Sequence, residues 1–249
     1  MMLTIFDIGM YDASDTVYYL EEGYRVVAIE ANPALVQRAK ERLRQHVEAG
    51  RLHLVNAAIG AETGTVELMI SGDDLGSSSI STERVAGRNP VGSYSVRTIS
   101  IQELVVQYGV PYYLKIDIEG ADRFCVLGLR NDTRPQFLSF EIGEDVEELV
   151  THSAAIGYEQ FKIINQCNFL ELDNQHRLYE RAARRLFRLM GYADPRQVKR
   201  AGRFFTVGHS SGPAPWCSAG SWYSAQAVLS RWLVAKDSNV SAWYDIHAA

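Results

Sequence analysis

Cysteine and long apolar runs are scarce in this chain of 249 residues. The three cysteines, Cys125, Cys167 and Cys217, are too few and too widely spaced for a disulfide framework or a cysteine-rich zinc site, so we expect a reducing, cytoplasmic setting. Charges interrupt every apolar run well before the roughly 20 residues that a membrane span needs, so no membrane partner is expected. The first residues have no basic opening and no long apolar stretch, which predicts that a secretory signal is absent.

Basic residues are unevenly distributed. The net charge is −5, yet the segment 177–203 holds nine Lys or Arg against two acids. Four arginines, spaced i, i+4, i+7 and i+11 from Arg177, lie on one face of a predicted helix over 177–190. This face is either solvated or recognises an anionic group, such as a phosphate or an acidic carrier protein. A nucleic-acid-binding protein would be basic over a wider area, so no nucleic acid partner is expected.

The apolar and aromatic contents, 47% and 10%, are ordinary for a globular protein. Apolar runs and helical patterns alternate as β-α-β-α-β over residues 3–56, which is typical of an α/β fold with a doubly wound, mostly parallel sheet. One long helix is expected between the cap Asn32 and Gly50. We expect a core over 1–170 and a helical C-terminal extension over 171–249, packed on the same domain. The four tryptophans of that extension either fill its core or close over a substrate.

The segment FDIGMYDASDT ends the first strand and begins a helix. Ligands of such sheets bind beyond the carboxyl ends of the strands, where Gly9 lets the backbone approach a ligand closely. Glu30 ends the second strand, 23 positions after Asp7, where an acid can accept both hydroxyls of a ribose. The alternatives are a simple tight turn at Gly9 and a solvated strand end at Glu30.

Two cofactor classes use this geometry. Dinucleotides bring a pyrophosphate that normally needs a G-x-G-x-x-G turn, and here only Gly9 is present, with Ala13 where a last glycine might stand. S-adenosylmethionine brings no phosphate, so one glycine and one acid can suffice, and its cationic groups favour nearby acids such as Asp7 and Asp117. The motif therefore favours S-adenosylmethionine and disfavours a nicotinamide-dependent oxidoreductase, which stays as an alternative.

A second motif, KIDIEGAD, places three charged side chains at the end of a strand that should be apolar: Lys115, Asp117 and Glu119. Glu141 ends the next strand and is expected at the same rim. Burying charges without a function is costly, although a salt-bridge cluster at a sheet edge is the alternative. Such acids suit methyl transfer, recognition of substrate hydroxyls or Mg²⁺, and we assign no metal ligand.

Together these motifs resemble the FkbM family of S-adenosylmethionine-dependent methyltransferases. The resemblance covers roughly residues 3–170 and rests on five segments: FDIGMYDASDT, VVAIEANP, LVNAAIG, KIDIEGAD and FLSFEI. The SSGP loop at 210–213 is also in the style of the family. The resemblance implies a Rossmann-like class I methyltransferase fold and methylation of hydroxyls on sugars, polyketides or other secondary metabolites.

The resemblance also implies roles for individual residues. The methionine part of the cofactor would be held by Asp7, Gly9 and the turn from Tyr11 to Ser14, and the ribose by Glu30, with Asn32 beside it. Asn56 and Ala57 would lie near the adenine, and Asp117 and Glu119 near the amino group or the reacting centre. The family's first motif usually reads D-x-G-A-N-x-G, whereas this chain has Met10, Tyr11 and Ala13 at the last three fixed positions.

The resulting hypothesis is an O-methyltransferase that acts on a hydroxyl of a small metabolite, which could be anionic or carrier-bound. Removal of the hydroxyl proton calls for a general base, and the candidates are Asp117, Glu119, Glu141 and His209. His209 precedes the SSGP loop, and histidine is the side chain that changes charge near neutral pH. The alternative for His209 is an ordinary surface histidine. A catalytically silent cofactor-binding protein is the competing hypothesis, and no oligomeric state is predicted.

Overall fold

The structure is a computed structural model that describes residues 2–71, 90–118, 120–172, 197–236 and 243–249. A central eight-stranded sheet is formed by β1 (Thr4–Ile8), β2 (Arg25–Glu30), β3 (Leu52–Asn56), β7 (Tyr113–Ile116), β8 (Phe137–Glu141), β9 (Phe161–Asn165), β10 (Leu170–Glu171) and β13 (Tyr244–Ala248). Its strand order is β10-β9-β13-β8-β7-β1-β2-β3. The five strands from β8 to β3 pair in parallel, which confirms the predicted doubly wound, mostly parallel sheet.

The remaining elements lie around this sheet. A three-stranded sheet has the order β4-β6-β5, from β4 (Ala58–Ile59), β5 (Gly64–Ser71) and β6 (Pro90–Ile99), and a hairpin joins β11 (Gln197–Arg200) to β12 (Arg203–Thr206). The helices are α1 (Ser14–Glu21), α2 (Pro33–Arg42), α3 (Arg44–Glu48), α4 (Ile101–Tyr108), α5 (Asp122–Val126), α6 (Val146–Ala155) and α7 (Ala225–Lys236). No helix in the described ranges is long and apolar enough to span a membrane.

Alternating side chains of the strands fill two cores. Phe6 and Ile8 of β1 belong to the core that also takes residues from α4, α5, α6 and α7. Ile5 of β1 belongs to the second core, together with residues from α1 and α2 and Phe205 of the hairpin. Both faces of the sheet are therefore covered, as a parallel sheet requires.

The single helix expected between Asn32 and Gly50 is wrong, because the chain forms α2 and α3 instead. Leu43 leaves helical geometry, with φ −108° and ψ 22°, and its side chain is buried. The backbone N–H groups of His46 and Val47 both donate to the carbonyl oxygen of Leu43, which starts the second helix. The Asn32 cap is confirmed, since its side chain accepts a hydrogen bond from the Ala34 N–H.

The C-terminal strand β13 lies between β8 and β9 and is antiparallel to both. Residues 244–248 thus belong to the central sheet, although the sequence assigns them to an extension. The division of the chain near residue 170 stays a prediction. The predicted helix at 177–190, with its arginine face, lies outside the described residues, as does Glu119.

Candidate functional site

The turn after β1 packs directly on the end of β7. Gly9 has φ 80°, and a Cβ at this position would lie 1.8 Å from the carbonyl oxygen of Asp117, so no side chain fits there. The N–H groups of Gly9 and Met10 both donate to the carbonyl oxygen of Ile29. The turn is therefore fixed between β2 and β7, at the carboxyl edge of the sheet where ligands of this fold bind.

Glu30, at the end of β2, reaches this turn. Its Oε2 accepts a hydrogen bond from the Tyr11 N–H at 2.9 Å, and its Oε1 accepts one from the Asn32 N–H at 2.8 Å. Burial raises the pKa of Glu30, and the two N–H donors partly offset that effect. Each carboxylate oxygen has two acceptor sites, so both can also accept a ribose hydroxyl. The geometry fits the predicted role of Glu30.

The end of β3 is tied to the end of β2. Asn56 donates from Nδ2 to the carbonyl oxygens of Glu30 and Ala31, both at 2.9 Å, and the N–H of Ala57 donates to the same Glu30 oxygen. Asn56 is exposed, whereas Ala57 and Asn32 are buried. Asn56 thus lies at the surface beside Glu30, and its predicted place near the adenine stays a prediction.

Lys115 is buried among three aspartates. Its Nζ lies 3.2 Å from Asp7, 3.7 Å from Asp15 and 3.9 Å from Asp117, and it donates to the carbonyl oxygen of Gly9 at 2.9 Å. Burial would lower the pKa of Lys115, but the aspartate charges outweigh it and raise the pKa above its ordinary value. The lysine therefore remains charged and holds the turn over residues 9–14, called the cofactor turn after its predicted role, against β7.

Asp7 has no exposed surface. Its Oδ2 accepts a hydrogen bond from Thr16 Oγ1 at 2.6 Å, and its Oδ1 faces Lys115. In this arrangement Asp7 stabilises the turn and the start of α1, and its direct contact with the methionine part stays a prediction. Asp117, by contrast, has 37% of its side chain exposed, so it can reach a ligand at the rim.

Residues 209–211 bring a distant loop onto the same turn. Ser210 Oγ donates to Asp15 Oδ1, and the Ser211 N–H donates to Asp15 Oδ2 at 3.0 Å. Ser211 Oγ also donates to Asp117 Oδ2 at 3.5 Å. Burial raises the pKa of Asp15 to about 6, although the Lys115 charge and these donors oppose the rise. The loop therefore covers the buried acids at the start of α1.

His209 pairs with Asp12 in the cofactor turn. The distance from His209 Nδ1 to Asp12 Oδ2 is 3.0 Å, and the ring centroids of His209 and Tyr11 are 5.4 Å apart. Burial alone would raise the pKa of Asp12, but hydrogen bonds from Ser14 and His209 lower it. Asp12 thus stays ionised and fixes the histidine ring, whose Nε2 has no hydrogen-bond partner among the described residues.

Glu141 lies at the same edge, one strand beyond β7. It pairs in register with Asp245 of β13, whose Oδ1 accepts a hydrogen bond from Gln166 Nε2 at 2.6 Å. Burial, together with the Asp117 charge, raises the pKa of Asp245 well above its ordinary value. No group of three or more His, Cys, Asp or Glu within the described ranges could hold a metal ion.

The sequence does not single out the acids that fix the loop at 209–211. Asp12 lies in the predicted turn from Tyr11 to Ser14 and Asp15 lies inside the first motif, where their acidic side chains are the available signal. Ser210 and Ser211 were recognised only as part of a loop, because the 195 positions between Ser210 and Asp15 leave no local signal of contact.

Comparisons with known proteins agree with the motif. The family model of the methyltransferase FkbM domain matches residues 7–179. No curated protein matches the chain. Similar solved structures include a precorrin-6Y C5,15-methyltransferase from Geobacter metallireducens, with 11% identity, 100% of this chain and 80% of that chain covered, and a TM-score of 0.42.

Another similar structure is a SAM-dependent methyltransferase from Geobacter sulfurreducens in complex with S-adenosyl-L-homocysteine, with 13% identity, 100% and 84% coverage and a TM-score of 0.37. A glycopeptide N-methyltransferase has 10% identity, 100% and 84% coverage and a TM-score of 0.33. The family match spans well over half of the chain, and the sheet has the predicted Rossmann-like class I form. This chain therefore belongs to the FkbM family of S-adenosylmethionine-dependent methyltransferases.

Proposed function

We propose that the protein transfers a methyl group from S-adenosylmethionine to a hydroxyl of a small metabolite, of the sugar, glycoside or polyketide type. The pair of His209 and Asp12 at the cofactor turn carries this proposal. An alcohol is a weak nucleophile until its proton is removed, and a histidine fixed by an ionised carboxylate can take that proton. We also propose that the protein works in a reducing, cytoplasmic setting.

The residues at the carboxyl edge of the sheet have different roles in this proposal. Glu30 holds the ribose diol, and Asp117, with the turn from Tyr11 to Ser14, holds the methionine part. Glu141 and Glu119 remain the other candidates for the general base. Lys115 holds the turn in place, because its Nζ donates a hydrogen bond to the carbonyl oxygen of Gly9.

The bound cofactor supplies a methyl group attached to a positively charged sulfur. Loss of the methyl group leaves this sulfur as a neutral thioether, which is a good leaving group. The acceptor oxygen would form the new bond to the methyl carbon as the carbon–sulfur bond breaks, and the neutral thioether would leave with the electron pair of that bond. His209 takes the hydroxyl proton on Nε2, and Asp12 stabilises the charged ring through Nδ1. Holding the acceptor in line supplies most of the remaining acceleration.

The test replaces the histidine. Because general base catalysis contributes about 10²–10⁴-fold, His209→Gln should lower kcat by about 10²-fold or more, and Asp12→Asn should lower it in the same direction. The assay follows methylation of a panel of alcohols and glycosides by mass spectrometry. Calorimetry on His209→Gln should show an S-adenosylmethionine Kd within about threefold of the unmodified protein, since this replacement leaves Glu30, Asp117 and the turn from Tyr11 to Ser14 in place.

His46→Gln is the matched control, because His46 is also partly buried and hydrogen-bonded, to Arg51, far from the rim. It should leave kcat unchanged. A methyl group found on nitrogen or carbon of the product would contradict hydroxyl transfer. Cofactor binding without turnover on the whole panel would favour the silent binding protein instead.

A further inference from the structure

A cleft lies beside the contact between α1 and β12, and it borders the turn from Tyr11 to Ser14 at Ser14. Its volume is about 610 Å³, which suits a small organic ligand. One wall is a single face of α1, formed by Ser14, Val17, Tyr18 and Glu21 at the spacing i, i+3, i+4 and i+7. The other wall is β12, and within the described residues Arg42 and Ser210 complete the lining.

The walls of the cleft are aromatic. Phe204 of β12 lines it with 66% of its surface exposed, although a side chain of this size usually gains from burial. Phe205 and Tyr18 lie beside it, with ring centroids 5.1 Å apart in an edge-on arrangement. The Lys199 Nζ lies over the Phe204 ring, 5.7 Å from its centroid, and a flat apolar ring placed here would cover the part of Phe204 that this ammonium group leaves exposed.

The charges of the cleft are unequally neutralised. Arg203 forms ion pairs with Glu21 at 2.5 Å and Glu22 at 2.6 Å. Arg42 donates only to the carbonyl oxygen of Ala13, at 3.3 Å, and no carboxylate of the described residues lies within 4.0 Å of it. Arg42 is also exposed, so its remaining donors can bind an acid group bidentately.

We propose that this cleft is a second binding site, for an aromatic acid whose ring packs on Phe204 and whose anionic group binds Arg42. The site is separate from the contacts of Glu30 and Asp117 at the rim, so the proposal does not rest on hydroxyl methylation.

The probe is 1-anilinonaphthalene-8-sulfonate, which combines aromatic rings with a sulfonate, and its fluorescence is titrated against the full chain. We expect saturable binding with one site. The neutral analogue N-phenyl-1-naphthylamine, which lacks the sulfonate, should bind about tenfold more weakly. Arg42→Gln should weaken sulfonate binding by about tenfold, and Phe204→Ser should weaken both probes by several fold.

Arg38→Gln is the matched control, because Arg38 is another exposed arginine of α2 that does not line the cleft. It should bind both probes as the unmodified protein does. Equal binding of the two probes, or sulfonate binding that neither Arg42→Gln nor Phe204→Ser changes, would overturn the proposal, as would a lack of saturable binding. Titration of the same variants with S-adenosylmethionine reports separately on the rim.

Discussion

At the scale of single residues, replacement of Glu30 tests where the cofactor binds. Glu30→Ala should raise the Kd for S-adenosylmethionine by more than about tenfold, because a charge-assisted contact contributes about 1.5–3 kcal/mol. Glu30→Gln, which keeps one acceptor for the N–H groups of Tyr11 and Asn32, should also raise it. Calorimetry measures the constant directly.

The control for Glu30 is Glu148→Ala, which removes an exposed carboxylate of α6 that pairs with Arg123 of α5. This variant should bind the cofactor with an unchanged Kd. If Glu30→Ala also leaves the constant unchanged, the assignment of the ribose to β2 is wrong.

Asp122 is a buried carboxylate whose ionisation should affect stability. Its Oδ2 accepts a hydrogen bond from the Gly120 N–H at 3.2 Å, and its Oδ1 has no partner among the described residues. Burial, with the negative charge of Asp117, raises the pKa of Asp122 from 3.8 to about 6. The folded protein therefore holds this proton more tightly than the unfolded chain. The resulting stability is present below about pH 4 and is lost as the pH rises through about 6.

Asp122→Asn should remove the loss of stability that occurs as the pH rises through about 6. Relative to the unmodified protein, the variant should gain free energy of unfolding between pH 4.5 and pH 7, by at most about 3 kcal/mol. Chemical denaturation at several pH values measures the difference. Asp132→Asn, at an exposed position, should show no such gain. Parallel stability profiles for the unmodified protein and Asp122→Asn would contradict the assignment.

At the scale of elements, the cofactor turn explains the residue types of the family motif. Gly9, Tyr11 and Ala13 have φ values of 80°, 49° and 64°, in the left-handed region. The usual motif has Gly, Asn and Gly at these positions, the residues that adopt this region most easily. This chain accepts the conformational cost at two of the three. At Ala13 the buried methyl group adds packing in the second core that a glycine would lack.

The loop at 209–211 is the second element that forms the site. The loop follows β12, and Phe205 of β12 packs on Tyr18 of α1. Because of this contact, the loop lies beside the start of α1. The contacts of Ser210 and Ser211 with Asp15 then fix the position of His209 beside Asp12.

At the scale of the whole molecule, the last strand completes the sheet. β13 pairs with both β8 and β9, and Ile246 and Ala248 are completely buried. Deletion of residues 243–249 should prevent stable folding, because it leaves two strands without a partner and opens the core. Soluble yield and thermal unfolding measure this.

The matched control for the deletion is Trp243→Ala, since Trp243 precedes the strand and has 58% of its surface exposed. This variant should keep nearly the full stability. A shortened chain that unfolds cooperatively at the temperature of the full chain would show that β13 is dispensable.

The sequence by itself determined the alternation of strands and helices, the turn at Gly9 and the acid at the end of β2. These features depend on local periodicity and on spacing within one βαβ unit, and both can be counted along the chain. The family motif consists of short segments of consecutive residues, so it can also be recognised from the sequence alone.

Only the tertiary structure decided which distant residues meet. Neither the insertion of β13 between β8 and β9 nor the contact of His209 with Asp12, 197 positions away, has a local signal. The same holds for Lys115, whose three aspartate neighbours come from β1, α1 and the end of β7. Such contacts arise from packing of the whole chain, because a side chain's partners depend on which surfaces the folded elements bury together.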